Sequence, residues 1–270
     1  MVHILAIDWS GDRDARNARL KIWLAEVVDG RLVRLESGRD RDQVVDHLIV
    51  EAARTPEMVV GLDFAFSLPA WFLAERGLRN AHELWALVAR EGEQWLAECP
   101  APFWGRAPGQ TSRPDLPAQF RRTEEDTRHA VQARGQSGGP TSVFQLVGPS
   151  QVGPGSLRGM PMLYRLHHAG FSIWPFDRPG RPTVVEIYPR MLADRVTKSD
   201  PVARVRYFTK RHPDVPMEFR LAAASSDDAF DAAVSALAME AHADELVHLP
   251  ALTDPQLRLE GAIWAPEGLP

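Results

Sequence analysis

Three carboxylates interrupt apolar runs: Asp8 in "ILAIDW", Asp63 in "VVGLDFAF" and Glu186 in "TVVEIYP". A buried carboxylate without a partner costs free energy or takes up a proton, so such a residue calls for an ion pair, a hydrogen-bond network or a metal. A further group lies in "SSDDAFDAAVSALAMEAHA", where Asp227, Asp228 and Asp231 crowd one turn of an evident helix. Part of that crowding is ordinary capping. Ser225 or Ser226 can serve as N-cap, Ser225 with Asp228 fits a loose capping box, and acids suit the positive end of the helix dipole. Asp231 lies about a turn further in, where aspartate is a poor helix former. At helical spacing Phe230, Val234, Leu237 and Ala241 form the apolar face, with Asp228, Asp231 and Ser235 in a stripe beside it. Like charges at i and i+3 repel by a few tenths of a kcal/mol, and a cation between them relieves that repulsion. If these acids meet, the donors are all hard oxygens, which suits Mg²⁺ or Mn²⁺. Two such ions about 4 Å apart can activate water and stabilise the leaving oxygen in phosphodiester hydrolysis.

The elements that must position these acids follow from periodicity. "HILAIDW" reads as a strand and is followed by a polar loop. "LKIWLAEVVDGRLVRLESG" reads as two strands joined at Asp29-Gly30, a strong two-residue hairpin signal. "RDQVVDHLIVEAA" places Val44, Val45, Leu48, Ile49 and Ala52 on one helical face, and "EMVVGLDFAF" reads as a buried strand. The order is β-β-β-α-β, with the helix as a crossover, so the fourth strand is expected parallel to the first, in a mixed sheet that also holds the antiparallel hairpin. Asp8 and Asp63 then project from neighbouring strand ends. Residues 68–181 have looser patterning and are expected to form an insertion on a single domain spanning 1–270. Within it "AHELWALVAREGEQWLAE" is amphipathic and "GSLRGMPMLYRLHHAG" reads as a helix ended by Gly170; "FSIWPF" and "TVVEIYP" read as strands.

The ordered set "IDWSG", "GLDFAFSLP", "IWPFD", "VVEIYPR", "DDAFDAAVSALAM" and "EGAIWAP" resembles the family catalogued as domain of unknown function 429, described as predicted nucleases with an RNase H-like fold. The resemblance runs from about residue 3 to 266. It implies an α/β fold with a mixed sheet of the five-stranded type flanked by helices, and a large insertion between strand four and the later strands. It further implies that Asp8, Asp63, Asp228 and Asp231 are metal-binding acids, with Asp227 as a substitute for Asp228. Glu186 corresponds to the acid of the family's E-x-Y-P motif. The implied activity is divalent-metal-dependent hydrolysis of nucleic acid. Asp8 would bridge two ions, Asp63 and Asp231 would hold one each, and Glu186 or Asp228 would complete a shell or orient water.

Other features bear on substrate. Residues 106–134 carry Arg106, Arg113, Arg121, Arg122, Arg128 and Arg134. A basic loop over the site would grip phosphates, and a solvated, salt-bridged surface explains the same residues equally well. Arg158 in "SLRGM" is a further phosphate-contact candidate, and "RGQSGGP" reads as a loop whose amides could nest an anion. Trp85, Trp95, Trp104 and Trp174 are expected in the core. His167-His168 is expected to face a helix C-terminus or solvent rather than ligate a metal, because no matching His cluster sits nearby in the sequence. The chain has 270 residues, is 44% hydrophobic and has a net charge of -5, so it lacks the global positive field of a DNA-coating protein. A single cysteine, Cys99, excludes an internal disulfide framework and suits a reducing cytoplasm. The start lacks a signal-peptide pattern and the longest apolar stretch is broken by Asp63 and Pro69, so no membrane span is expected. Two alternatives share the sheet. One is a nucleotide-binding phosphotransferase of the actin and sugar-kinase type, which "IDWSG" faintly resembles although "GLDFAFSLP" lacks the second glycine-rich phosphate loop. The other is a binding protein without catalysis.

Overall fold

The computed structural model describes residues 2–105, 118–136, 138–148 and 151–266. The first strand, β1 (His3–Asp8), is followed by a short helix, α1 (Ala15–Lys21), then β2 (Trp23–Val28), β3 (Arg31–Glu36), α2 (Arg41–Arg54) and β4 (Met58–Leu62). Asp29 and Gly30 both have positive φ, 51° and 73°, as the tight β2–β3 turn requires. Helix α1 replaces the polar loop read from the sequence. Asp14 caps it by accepting the Arg16 and Asn17 amides, and it buries Ala18 alone, so it has no apolar periodicity to betray it.

Residues 68–181 contribute α3 (Ala70–Glu75), α4 (Ala81–Glu98), α5 (Arg122–Ala133), α6 (Gly153–His168) and β5 (Ser172–Ile173). After them come β6 (Thr183–Glu186), α7 (Pro189–Leu192), α8 (Pro201–Arg211), α9 (Met217–Ser225), α10 (Asp227–Ala241), α11 (Ala243–Val247) and α12 (Leu257–Glu260). Among the described residues the sheet has six strands in the order β3-β2-β1-β4-β6-β5, one more than the five-stranded pattern, because the two-residue β5 adds an edge. Strand β1 is antiparallel to β2 and parallel to β4, and β4 is parallel to β6, as the crossover requires.

Alternation along the strands divides the core into two layers. Leu5, Ile7, Val60, Leu62 and Val184 pack beneath α2, α4 and α6. Ile4, Ala6, Val59 and Val185 pack against Phe230, Ala233 and Val234 of α10, with Phe208 of α8 and Ala223 of α9 behind. Small residues bring α10 close to the sheet: its buried side includes Ala229, Ala232, Ala233 and Ala236. On the facing strand, a Cβ at Gly61 would lie 2.6 Å from Met239 Sδ and 3.0 Å from the Ile187 side chain. The helix face differs from the sequence reading at its end, where Met239 is buried and Ala241 exposed. The four tryptophans expected in the core, Trp85, Trp95, Trp104 and Trp174, are all buried. No helix among the described residues is long and apolar enough to cross a membrane.

Candidate active site

The β1–β4 register pairs Ile7 with Leu62, so Asp8 and Asp63 follow side by side where the two parallel strands end. The Asp63 amide continues the ladder, donating to the Ile7 carbonyl at 3.2 Å. By alternation both fall on the α10 side of the sheet, following Ala6 and Gly61. Helix α10 begins at the same edge. Ser226 is its N-cap, accepting the Ala229 amide at 3.0 Å. Ser225 instead closes α9, donating its hydroxyl to the Ala222 carbonyl, so the Ser225–Asp228 capping box does not form.

Asp8, Asp63, Asp228 and Asp231 all line one cavity of about 1250 Å³. Each carboxyl titrates above the ordinary aspartate range. Burial, then Asp63, Asp231 and Asp228, hold Asp8 well above it. Burial, with Asp231 adding to it, pushes Asp63 up to about 8. Burial raises Asp231 against the pull of Lys198, and burial with Asp227 raises Asp228. Crowding of these half-buried carboxyls thus favours protonation, and a bound cation would relieve the same repulsion.

Lys198 supplies one positive charge. Its ammonium donates to both Asp231 oxygens, at 2.5 and 2.8 Å. Arg204 fixes that arrangement from behind by donating to the Lys198 and Ala224 carbonyls and, at 2.5 Å, to Asp227. Asp227 is therefore committed to an arginine, while Asp228 lacks such an ion pair among the described residues and adjoins Asp231 on the cavity wall. Sequence reasoning missed Lys198. The available signal was rarity: the chain has three lysines, Lys21, Lys198 and Lys210, among 31 basic residues, and two of the three line this cavity.

Glu186 sits beside the aspartates but has different work. Alternation places it with Val184 on the other face, and its oxygens accept from Arg121 at 2.5 and 2.8 Å and from the Phe66 amide at 3.0 Å. Arg121 was expected to contact phosphate. It is instead a buried strut, 1% exposed, that also pairs with Glu124 at 2.9 Å and donates to the Glu260 carbonyl. Desolvation alone would weaken its proton affinity, but Glu186 and Glu124 more than offset that and keep it charged. Arg122 was expected in the same role; it pairs with Asp254 at 2.5 Å and does not line the cavity. Arg106 and Arg113 lie outside the described residues. Arg158 does border the cavity, where it clamps the loop after β1 through the Gly11 carbonyl and pairs with Glu93 at 2.7 Å.

That loop and the start of α6 meet closely. A Cβ on Gly11 would lie 2.4 Å from the Gly155 nitrogen and 2.7 Å from the Pro154 carbonyl carbon, so only glycine fits. Arg41 also braces the loop, donating to the Ser10 and Asp12 carbonyls at 2.9 Å. Arg13, Lys21 and Arg190 add positive charge to the cavity wall, and Tyr188, pushed up to about 12 by burial, keeps its phenolic proton at neutral pH.

The aspartates share a cavity without closing into a tight triad. Among the described residues, the one set of three His, Cys, Asp or Glu donors within 4.8 Å of one another is His82, His167 and Asp177, remote from these acids. No family model matches the chain, and no curated protein or solved structure matches it either.

Proposed function

We propose that the protein is a divalent-metal-dependent phosphodiesterase acting on nucleic acid, built on an RNase H-like sheet. The observation that carries this reading is the convergence of Asp8, Asp63, Asp228 and Asp231 on one cavity, each carboxyl raised above its ordinary range. These residues fit Mg²⁺ or Mn²⁺. The donors are oxygens alone, and the Lys198 ammonium on Asp231 marks a place where positive charge is already favoured. Mg²⁺ commonly takes one or two carboxylates and completes its shell with water, so a tight carboxylate triad is not required. When bound, such ions polarise a phosphoryl oxygen and lower the pKa of a water.

The chain's own groups supply the rest. Asp8 and Asp63 hold positions fixed by the sheet, and Asp228 and Asp231 are brought to them by α10. Arg13, Lys21 and Arg190 on the wall attract phosphates without reading bases. Tyr188 remains a hydrogen-bond donor. Glu186, through Arg121, is a positioning residue that fixes the Phe66 amide and the chain leaving β4. The phosphotransferase alternative needs free amides after β4; there the Ala65 amide donates to Ser156 Oγ and the Phe66 amide to Glu186, both at 3.0 Å.

The test is hydrolysis of a panel of single strands, duplexes, hybrids, branched DNA and structured RNA, at low salt because the net charge is negative. Cleavage should require Mn²⁺ or Mg²⁺, stop with EDTA, and fall about a hundred- to a thousandfold in Asp8→Asn, the scale of losing a main electrostatic contributor. Cleavage that persists unchanged in Asp8→Asn and in EDTA, or no cleavage anywhere on the panel, refutes the reading.

A further inference from the structure

The helix α6 runs away from the aspartate cavity, and its last turn enters a second cluster of metal-ligating side chains. His167 Nδ1 lies 3.0 Å from Asp177 Oδ2, and His82 Nε2 lies 2.9 Å from Asp177 Oδ1. The two imidazole centroids are 4.2 Å apart. We propose that His82, His167 and Asp177 bind one Zn²⁺ ion, which fastens the start of α4, the end of α6 and the turn after β5 to one another.

Geometry and donor chemistry both support this assignment. One donor atom from each residue lies within 4.8 Å of the others. Tetrahedral Zn²⁺ with bonds of about 2.0–2.1 Å needs ligand atoms roughly 3.4 Å apart, so a nitrogen now hydrogen-bonded to Asp177 at 2.9–3.0 Å needs to open by a few tenths of an ångström, and any donor pair nearer the 4.8 Å limit needs to close. The two imidazoles are borderline donors that favour zinc over Mg²⁺ or Ca²⁺, the carboxylate is a harder ligand that zinc also takes, and three protein ligands leave a fourth position for water. The groups around them are already ordered. The Ile173 amide donates to Asp177 Oδ2 at 2.8 Å, fixing the carboxylate, and the buried Trp85 packs edge-on against His82 with centroids 4.9 Å apart. Access is open: a cavity of about 370 Å³ lined by Asn80, Ala81, His82 and Phe176 reaches the cluster, and the His167 side chain is 35% exposed.

All three ligands belong to residues 68–181, and their separations in sequence explain why they do not form a motif: 85 residues from His82 to His167 and 95 from His82 to Asp177. His168, its neighbour in the pair, instead packs on Tyr164 with centroids 4.2 Å apart. The site is separate from the aspartates. Gly155 lines their cavity, and the twelve residues from there to His167 span about 18 Å of helix.

The full-length protein, stripped with a chelator and dialysed, should be titrated with Zn²⁺ by calorimetry in excess Mg²⁺, and with Co²⁺ by visible absorption. One equivalent of Zn²⁺ should bind and raise Tm. Affinity should fall at least about tenfold in His82→Gln and in Asp177→Asn, because losing even an outer partner of a metal ligand has that effect. Asp8→Asn should bind Zn²⁺ as the native chain does, which separates this site from the proposed catalytic one. The Co²⁺ spectrum of the native chain does not depend on any variant folding and should show the intense band of four-coordinate cobalt. Absence of Zn²⁺ uptake, equal affinity in native protein and His82→Gln, or only the weak band of six-coordinate cobalt would overturn the proposal.

Discussion

Asp63 carries a consequence that stability measurements can read. Its folded-state value is pushed up to about 8, whereas in the unfolded chain it returns to the ordinary aspartate value of 3.8. Between those values the folded protein holds a proton that the unfolded chain has released, so stability falls as pH rises through that window. Asp8 and Asp231 are shifted in the same direction and add to the slope. The metal-free protein should therefore melt at lower temperature at pH 8 than at pH 6, and Mn²⁺ should restore more at pH 8. Asp8→Asn relieves the crowding of the acids; its metal-free Tm at pH 8 should rise by about 2–4 °C, equivalent to about 1 kcal/mol. Scanning calorimetry across pH, with and without Mn²⁺, checks both; a decrease in Tm for Asp8→Asn would assign Asp8 a structural hydrogen-bond role. The aspartates were legible because an acid inside an apolar strand, or a turn into a helix past the cap, conflicts with local propensity. Lys198 was not, since its partner Asp231 is 33 residues away and no pattern joins a loop lysine to a helix face.

At the scale of elements, the site depends on how closely a loop and a helix approach. Gly11 allows the loop after β1 to touch the first turn of α6, and the atoms that a Cβ would meet are backbone, which cannot rotate aside. Gly11→Ala should cost about 1–3 kcal/mol of stability, as overpacking does, and should weaken metal-dependent activity beyond that cost because Asp8 lies three residues before it. Urea unfolding together with a Mn²⁺ titration measures the two effects. Unchanged stability would mean that the loop moves away freely. The β-β-β-α-β order and the Asp29-Gly30 turn were readable because period-two and period-3.6 patterns were strong there. Two elements were not fully readable for opposite reasons: α1 buries a single residue, and β5 is only two residues long within the longer strand-like run "FSIWPF".

At the scale of the whole molecule, residues 68–181 are joined to the sheet by charge as well as by packing. Arg121, just before α5, reaches Glu186 on β6, Glu124 on α5 and the Glu260 carbonyl near the end of the chain, with both carboxylates buried. Arg121→Ala should lose about 3–5 kcal/mol, the scale for stripping a buried ion pair of one partner. Arg122→Ala, on an exposed pair, should lose less than about 1 kcal/mol. Chemical denaturation of both variants distinguishes a strut from a substrate contact. Counting charges along residues 106–134 could not make that distinction, because burial of one arginine is decided by glutamates far away in sequence.

The central claim is that Asp8, Asp63, Asp228 and Asp231 hold divalent cations. Crystals soaked in Mn²⁺ and measured by anomalous scattering test it most directly. The account predicts anomalous peaks within bonding distance of Asp8 and Asp63 oxygens, with Asp231 released from Lys198. Peaks elsewhere only, with Lys198 still on Asp231 and Asp8 without a metal contact at saturating Mn²⁺, would contradict it.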